Sequence, residues 1–170
     1  MSAINRRLLL AWSALFGAGA ASAAHAAPKP VGFGDFKKEA EVNVVYHCDF
    51  GDQNRFGQML TNINNHLSVY EFDPFKAKIV IVTHGAGIKF FLTDLAGTPW
   101  EKDTIDPELN GRIAALAKYG VEVYLCEITF KRQKIDLSKI REAPYLRMVA
   151  SGVASVAELQ AKGYSYVKTG

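Results

Sequence analysis

The stretch Val121-Glu-Val-Tyr-Leu-Cys126 decides the fold, because its alternating, β-branched side chains predict a strand that ends at a cysteine. The residues before it, 107–120, have the apolar spacing of a helix, and Gly120 marks the end of that helix. A helix leading into a strand is typical of parallel α/β sheets, which keep their ligand sites at the carboxyl ends of the strands. The thiol of Cys126 is therefore expected at such a site.

Strands and helices are predicted to alternate throughout the domain that spans residues 42–170. Besides the strand at 121–126, the sequence predicts strands at 42–48, 78–84, 146–151 and 164–167. It predicts further helices at 53–70 and 155–162, and an apolar helix between Gly87 and Leu95. Residues 27–41 contain several prolines and glycines and are expected to form an N-terminal arm across the surface. The alternation indicates a single α/β domain with a parallel sheet.

Residues 1–26 have the features of a cleaved signal peptide. Arg6 and Arg7 precede an apolar run rich in small residues, and Ala24-His-Ala26 fits an A-x-A cleavage site. The sequence therefore predicts a periplasmic or secreted protein that begins near Ala27 and keeps no membrane segment after cleavage. The paired arginines also resemble a twin-arginine signal, which leaves the export route open.

The charge and cysteine content limit the classes of partner and chemistry. The leader carries two arginines and no acidic residue, so the net charge of +3 falls to +1, with 18 basic and 17 acidic side chains remaining. This balance gives no sign of a nucleic-acid partner. The only cysteines are Cys48 and Cys126, and an oxidising compartment favours a disulfide between them. A mature chain of about 144 residues does not need such a bridge for stability, so a functional pair stays open.

Several blocks of residues resemble the DsrE/DsrF-like sulfur-relay family, and in particular its exported single-domain branch. They are Val44-Val-Tyr-His47, Ile79-Val-Ile-Val-Thr-His-Gly85, Phe90-Phe-Leu92, Asn110, Leu116-Ala117, Gly120 to Cys126, Thr129, Val149, Ser151-Gly-Val153, Leu159-Gln160 and Gly163-Tyr164. The resemblance implies a flavodoxin-like three-layer sandwich with a five-stranded, mainly parallel sheet in the order 2-1-3-4-5. It also implies a homotrimer or homohexamer.

The resemblance implies a role for Cys126 as well. In the sulfur-carrying members, a cysteine at the end of the third strand takes up sulfur as a persulfide, and Cys126 occupies that position. Its partners would be sulfur donor and acceptor proteins or small sulfur compounds. An exported chain would not meet the family's cytoplasmic partners, so a role in tRNA modification is not expected.

The implied strand order would bring three strand ends together, at His47-Cys48, His84 and Cys126. Three chemistries remain open for such a site. The favoured one is a sulfur carrier without a cofactor, in which Cys126 holds the sulfur and Cys48 resolves the persulfide as a disulfide. Positive groups that would favour the Cys126 thiolate are His47, His84, Lys131 and Arg132.

The other two chemistries use the same side chains differently. In one, Cys48 and Cys126 cycle between dithiol and disulfide as a redox pair. In the other, the protein is a metal- or small-ligand-binding oligomer without covalent sulfur chemistry. The ligands of a copper or zinc ion would then be His47, Cys48, His84 and Cys126. Inert packing remains a further interpretation for each cysteine.

Overall fold

Six strands and four α-helices alternate along residues 27–169, the part of the chain that the computed structural model describes. The strands are β1 Lys29–Pro30, β2 Val42–Cys48, β3 Ala77–Thr83, β4 Glu122–Cys126, β5 Leu146–Val149 and β6 Ser165–Lys168. The α-helices are α1 Gln53–Val69, α2 Glu108–Ala117, α3 Glu127–Gln133 and α4 Gly152–Ala161. Short 3-10 helices occupy Phe33–Asp35, Gly85–Phe91 and Leu137–Lys139. The leader and its predicted cleavage site lie outside the described residues.

The strands form one parallel sheet with helices on both faces, which confirms the predicted three-layer α/β class. The sheet has six strands rather than five. The additional strand, β1, lies in the N-terminal arm, where Lys29 and Pro30 pair with Arg147 and Met148 of β5. A two-residue strand containing proline has no strand pattern, and proline is tolerated there because β1 is an edge strand.

The strand order differs from the predicted 2-1-3-4-5. The observed order is β1-β5-β4-β3-β2-β6, so β3 lies between β2 and β4. The reason is that α1 and α2 pack together on one face of the sheet. Right-handed crossovers on one face carry successive strands in one direction. The connection through α4 uses the opposite face and returns the chain to β6, beside β2.

Side-chain alternation divides the strand residues between two apolar cores. The face covered by α1 and α2 buries Cys48, Ile81 and Leu125. The face covered by α4 buries Val45, Val82 and Tyr124, and Phe36 of the N-terminal arm stacks on the Tyr124 ring. Because successive strand residues point to opposite faces, His47 and Cys48 cannot share a face while both belong to β2.

Three local elements depart from the sequence predictions. Residues 85–91 form a 3-10 helix rather than an apolar α-helix, because the chain leaves it at Leu92 to bridge Ile140. Residues 127–133, for which the sequence predicts no helix, form α3, which is stabilised by burial of Phe130. Helix α4 begins at Gly152 with Ser151 as its N-cap, three residues before the predicted start. No helix within residues 27–169 is long and apolar enough to cross a membrane.

Candidate functional site

Three predicted site residues meet at the carboxyl edge of the sheet, on the face covered by α4. His47 lies near the end of β2, His84 follows β3, and Cys126 ends β4. Thr83 is paired with Leu125, so continuing the same register by one residue sets His84 beside Cys126. The central position of β3 therefore makes His84 the neighbour of both His47 and Cys126.

The two histidines are in direct contact through their ring nitrogens. His47 Nε2 lies 2.7 Å from His84 Nε2, and His47 Nδ1 lies 3.1 Å from the hydroxyl oxygen of Tyr166 on β6. Only one hydrogen fits between the two Nε2 atoms, so one imidazole donates and the other accepts. If His47 donates to His84, its Nδ1 accepts from Tyr166; if His84 donates, His47 Nδ1–H donates to the Tyr166 oxygen.

Helix α4 closes the site from above through its first residue, Gly152. A methyl group at this position would lie 3.0 Å from His84 Cβ, 3.1 Å from His84 Cδ2 and 3.2 Å from Cys126 Cβ. Glycine therefore lets the start of the helix rest directly on the two side chains. Cys126 is only 4% exposed as a result, whereas both histidines remain half-buried.

Burial governs the protonation of the histidine pair. It lowers the pKa of His47 and the pKa of His84 below the ordinary histidine value, and the Asp49 carboxylate opposes this in both cases. The cations of Lys168 and Arg55 further lower the pKa of His47. The pair is therefore held largely neutral near pH 7, and it keeps a shared hydrogen as long as the two rings are not both protonated.

We predict that the free energy of unfolding falls as the pH drops below about 6.5, the value for histidine in an unfolded chain. The lowered pKa values of His47 and His84 mean that the unfolded chain takes up protons before the folded chain does. The stability is thus complete above that pH and is lost as the pH falls through the folded pKa values. Urea denaturation from pH 8 to pH 5 measures this slope. A His47→Gln/His84→Gln variant should show a shallower slope, and an unchanged slope would contradict the assignment.

Cys48 does not join this site. Its side chain lies on the opposite face of the sheet from Cys126, is 0% exposed, and packs in the core beneath α1. Burial raises the pKa of the Cys48 thiol to about 12, although a hydrogen bond with Thr83 opposes the increase. Both thiols are free. The predicted meeting of Cys48 and Cys126 depended on β2 and β4 being neighbours, and β3 separates them.

The two predicted cations also lie away from the thiol. Lys131 and Arg132 occupy the last turn of α3, whereas Cys126 precedes its first turn. Lys131 is 70% exposed and is paired with Glu127 at 2.8 Å. Within residues 27–169, no group of three or more histidine, cysteine or carboxylate side chains is arranged to hold a metal ion. The four-residue ligand set suggested by the sequence is therefore not assembled.

Sequence reasoning missed three residues that shape the site. Tyr166 contacts His47, and Gly152 allows the start of α4 to lie close to His84 and Cys126. Thr129 accepts a hydrogen bond from the Gly85 backbone N–H at 3.0 Å. Gly152 and Thr129 carried a signal, since both lie in the blocks that resemble the sulfur-relay family. Tyr166 carried none, because its contact depends on β6 pairing with β2 across more than a hundred residues.

The fold and these strand ends define a parallel three-layer α/β protein with a thiol and two imidazoles at the carboxyl edge of its sheet. The model of the DsrE/DsrF-like family matches residues 42–169, and the chain belongs to this family. This membership confirms the resemblance seen in the sequence and supports a role related to sulfur relay.

Comparison with solved structures agrees with the fold. The chain is similar to the protein of unknown function MTH1491 from Methanobacterium thermoautotrophicum, with a TM-score of 0.60 and 23% sequence identity, over 75% of this chain and 98% of that chain. At this identity the likeness shows the fold alone. No curated protein matches the chain.

Proposed function

We propose that this protein is a sulfur carrier that holds sulfane sulfur as a persulfide on Cys126. The observation that carries the proposal is the position of a free thiol at the carboxyl end of β4, beside His84 and beneath the first residue of α4. Family membership supports a role in sulfur relay, and Cys126 is the thiol that lies where parallel α/β sheets bind ligands.

The chemistry needs only one thiol. The Cys126 thiolate attacks the sulfane sulfur of a donor, a new S–S bond forms, and the donor's S–S bond breaks with its electron pair leaving on the donor thiolate. In release, an acceptor thiolate attacks the outer sulfur, and Cys126 leaves as a thiolate. Sulfur passes at an unchanged oxidation level, so these steps require no cofactor. This is the behaviour of a carrier rather than of a turnover enzyme.

The arrangement of side chains favours this function over the two alternatives. A redox pair requires the cysteine sulfurs to meet, and Cys48 and Cys126 point to opposite faces of the sheet with β3 between their strands. A metal site would have to be built from His47, His84 and Cys126 without Cys48. No observation favours that site over sulfur transfer.

The carrier proposal is tested by loading the purified protein with inorganic polysulfide and measuring its intact mass. We expect a gain of about 32 Da per sulfur, removed by reductant and mapping to the peptide that contains Cys126. Iodoacetamide added before the polysulfide should block the gain. A protein that gains no mass, or gains it on the Cys48 peptide, would refute the assignment.

We further propose that the protein acts outside the cytoplasm, after removal of residues 1–26. Support comes from the sequence of the leader, in which Arg6 and Arg7 precede an apolar run and an A-x-A site. N-terminal sequencing of protein from a periplasmic extract should begin at Ala27. Recovery of the intact chain in the cytoplasm would overturn this location.

Assembly into a homotrimer or homohexamer is also a proposal. Large apolar side chains that remain exposed in the single chain support it, among them Val69 at 76%, Phe75 at 79% and Val153 at 65%. Contact between copies would remove such apolar area from water. Native mass spectrometry at micromolar concentration should show three or six copies, and a monomer would refute the proposal.

A further inference from the structure

We propose that Tyr166, His47 and His84 form a proton relay between solvent and Cys126, an inference that rests on the proposed sulfur-carrier function. The three side chains make a continuous line of contacts from the edge strand β6, through β2, to the residue after β3. Tyr166 is 39% exposed, so its hydroxyl end reaches water. At the other end, a methyl group added at Gly152 would lie 3.0 Å from His84 Cβ and 3.2 Å from Cβ of the almost fully buried Cys126, so the two side chains lie side by side beneath α4.

Three of the four ring nitrogens of His47 and His84 contact a neighbouring side chain of the line, and the fourth is left for Cys126. His47 uses Nδ1 toward Tyr166 and Nε2 toward His84, and His84 uses Nε2 toward His47. The remaining nitrogen, His84 Nδ1, has no hydrogen-bond partner among residues 27–169, and the relay assigns to it the exchange of a proton with Cys126, which lies next to His84 in the strand register. A proton taken up there allows the Nε2 hydrogen to pass to His47, whose Nδ1 hydrogen then passes to the Tyr166 oxygen and to water.

The relay matches the proton balance of sulfur transfer. During loading, the thiol proton of Cys126 must leave before the sulfur can attack the donor, and this proton moves outward through His84. During release, Cys126 leaves as a thiolate, and a proton returns along the same path. Because Cys126 as a whole is only 4% exposed, water has little direct access to its thiol, and a side-chain path is the alternative.

The charges around the two histidines determine whether the pair is neutral or carries one additional proton. From the loop after β2, Asp49 favours protonation of both histidines; from β6 and α1, Lys168 and Arg55 disfavour protonation of His47. Protonation of His47 is also disfavoured by His84, because two positively charged rings in contact repel each other. The residue of α4 that lies against His84 is Gly152, which brings no ionisable group. The pair therefore accepts a single additional proton.

A second tyrosine–histidine contact in the same protein supplies a matched control. The Tyr46 hydroxyl lies 3.1 Å from His66 Nδ1, the same separation as between Tyr166 and His47. This contact lies on the opposite face of the sheet, between β2 and α1, and the cysteine on that face is the fully buried Cys48. Variants of Tyr46 and His66 thus remove a similar hydrogen bond without touching the proposed relay.

The test measures the rate at which iodoacetamide alkylates Cys126 from pH 5 to pH 9, read by mass spectrometry of the Cys126 peptide. His84→Gln should slow alkylation near pH 7 on the order of tenfold or more, and should remove the inflection that the histidine pair gives to the profile. Tyr166→Phe should slow it about threefold to fivefold, as expected for loss of one neutral hydrogen bond. His66→Gln and Tyr46→Phe should leave the profile unchanged.

A chemical rescue separates proton transfer from simple packing. In a His84→Ala variant, added imidazole should restore part of the alkylation rate, which a purely structural role would not do. Should this variant fail to fold, Tyr166→Phe on the exposed edge strand still decides the question. Profiles of the His84→Gln and Tyr166→Phe variants that superimpose on the wild-type profile would overturn the relay.

The alkylation test does not depend on sulfur loading, so the two proposals can fail separately. A wild-type protein that gains no sulfur from polysulfide, yet shows the predicted alkylation profiles, would retain the relay and lose the carrier function. A protein that loads sulfur on Cys126 with identical profiles in all variants would retain the carrier function and lose the relay.

Discussion

A Cys126→Ser variant is expected to gain no sulfur when treated with polysulfide, so the loss of loading is complete rather than partial. Serine occupies nearly the same volume beneath Gly152, but its hydroxyl is not ionised at neutral pH and does not attack sulfane sulfur. The site geometry is therefore kept while the nucleophile is removed. Intact-mass spectrometry before and after treatment measures the result.

The matched control is the other cysteine. Cys48→Ala removes a thiol that is 0% exposed and lies on the opposite face of the sheet, so this variant should load sulfur to the wild-type level. It should also be less stable than the wild type, because a buried side chain loses volume in a packed core. Sulfur retained by Cys126→Ser, or lost by Cys48→Ala, would move the carrier role to Cys48.

A Gly87→Ala variant is expected to be less stable by about 3 kcal/mol or more, which is at the upper end for overpacking in a core. The added methyl group would lie 2.6 Å from Thr83 Oγ1 and 2.9 Å from Cys48 Sγ, and closer still to the Cys48 carbonyl oxygen. That oxygen accepts hydrogen bonds from the Thr83 hydroxyl and the His84 backbone N–H, at 3.1 Å each, so it cannot move freely. The end of β2 would have to shift.

Gly111→Ala provides the comparison for this prediction. Gly111 lies within α2, and a methyl group there would meet nothing within 4 Å. Alanine should therefore stabilise the helix by about 0.5–1 kcal/mol. Urea denaturation of both variants measures the difference. Equal stabilities of the two variants would contradict the prediction, because they would show that the turn after β3 can accommodate a methyl group at Gly87.

The turn at Gly87 connects stability to function, because it aligns the ends of β2 and β3. The backbone N–H of His84 donates to the Cys48 carbonyl, and the next residue, Gly85, is tied to Thr129 of α3. These bonds fix His84 between His47 and Cys126. A mutation in this turn is therefore expected to disturb sulfur loading even though it touches neither histidine nor Cys126.

Local patterns were enough to predict the strand ends. Alternating β-branched runs placed Cys126, His84 and His47 at or near the carboxyl ends of three parallel strands, and the structure brings all three together. The same alternation shows that His47 and Cys48 face opposite sides of the sheet. Which of the two shares a side with Cys126 depends on the register between strands, and a sequence does not specify that register.

The remaining differences between the sequence predictions and the structure arise from contacts between residues that are far apart in the chain. The order of β2, β3 and β4 follows from the packing of α1 against α2 on one face, which no local pattern records. The contact between Tyr166 and His47 requires the last strand to return beside β2. Residues 85–91 have the apolar content of a helix, but close packing of Gly87 against Cys48 and the bridge from Leu92 to Ile140 impose a tighter turn.

The most direct test of the central claim is mass spectrometry of the protein purified from its own cells, with free thiols and persulfides trapped by alkylation before purification. The account predicts a fraction carrying about 32 Da of additional mass on the Cys126 peptide, released by reductant, with Cys48 unmodified. A protein in which Cys126 is never persulfidated, or in which a loss of about 2 Da reveals a disulfide between Cys48 and Cys126, would contradict the account.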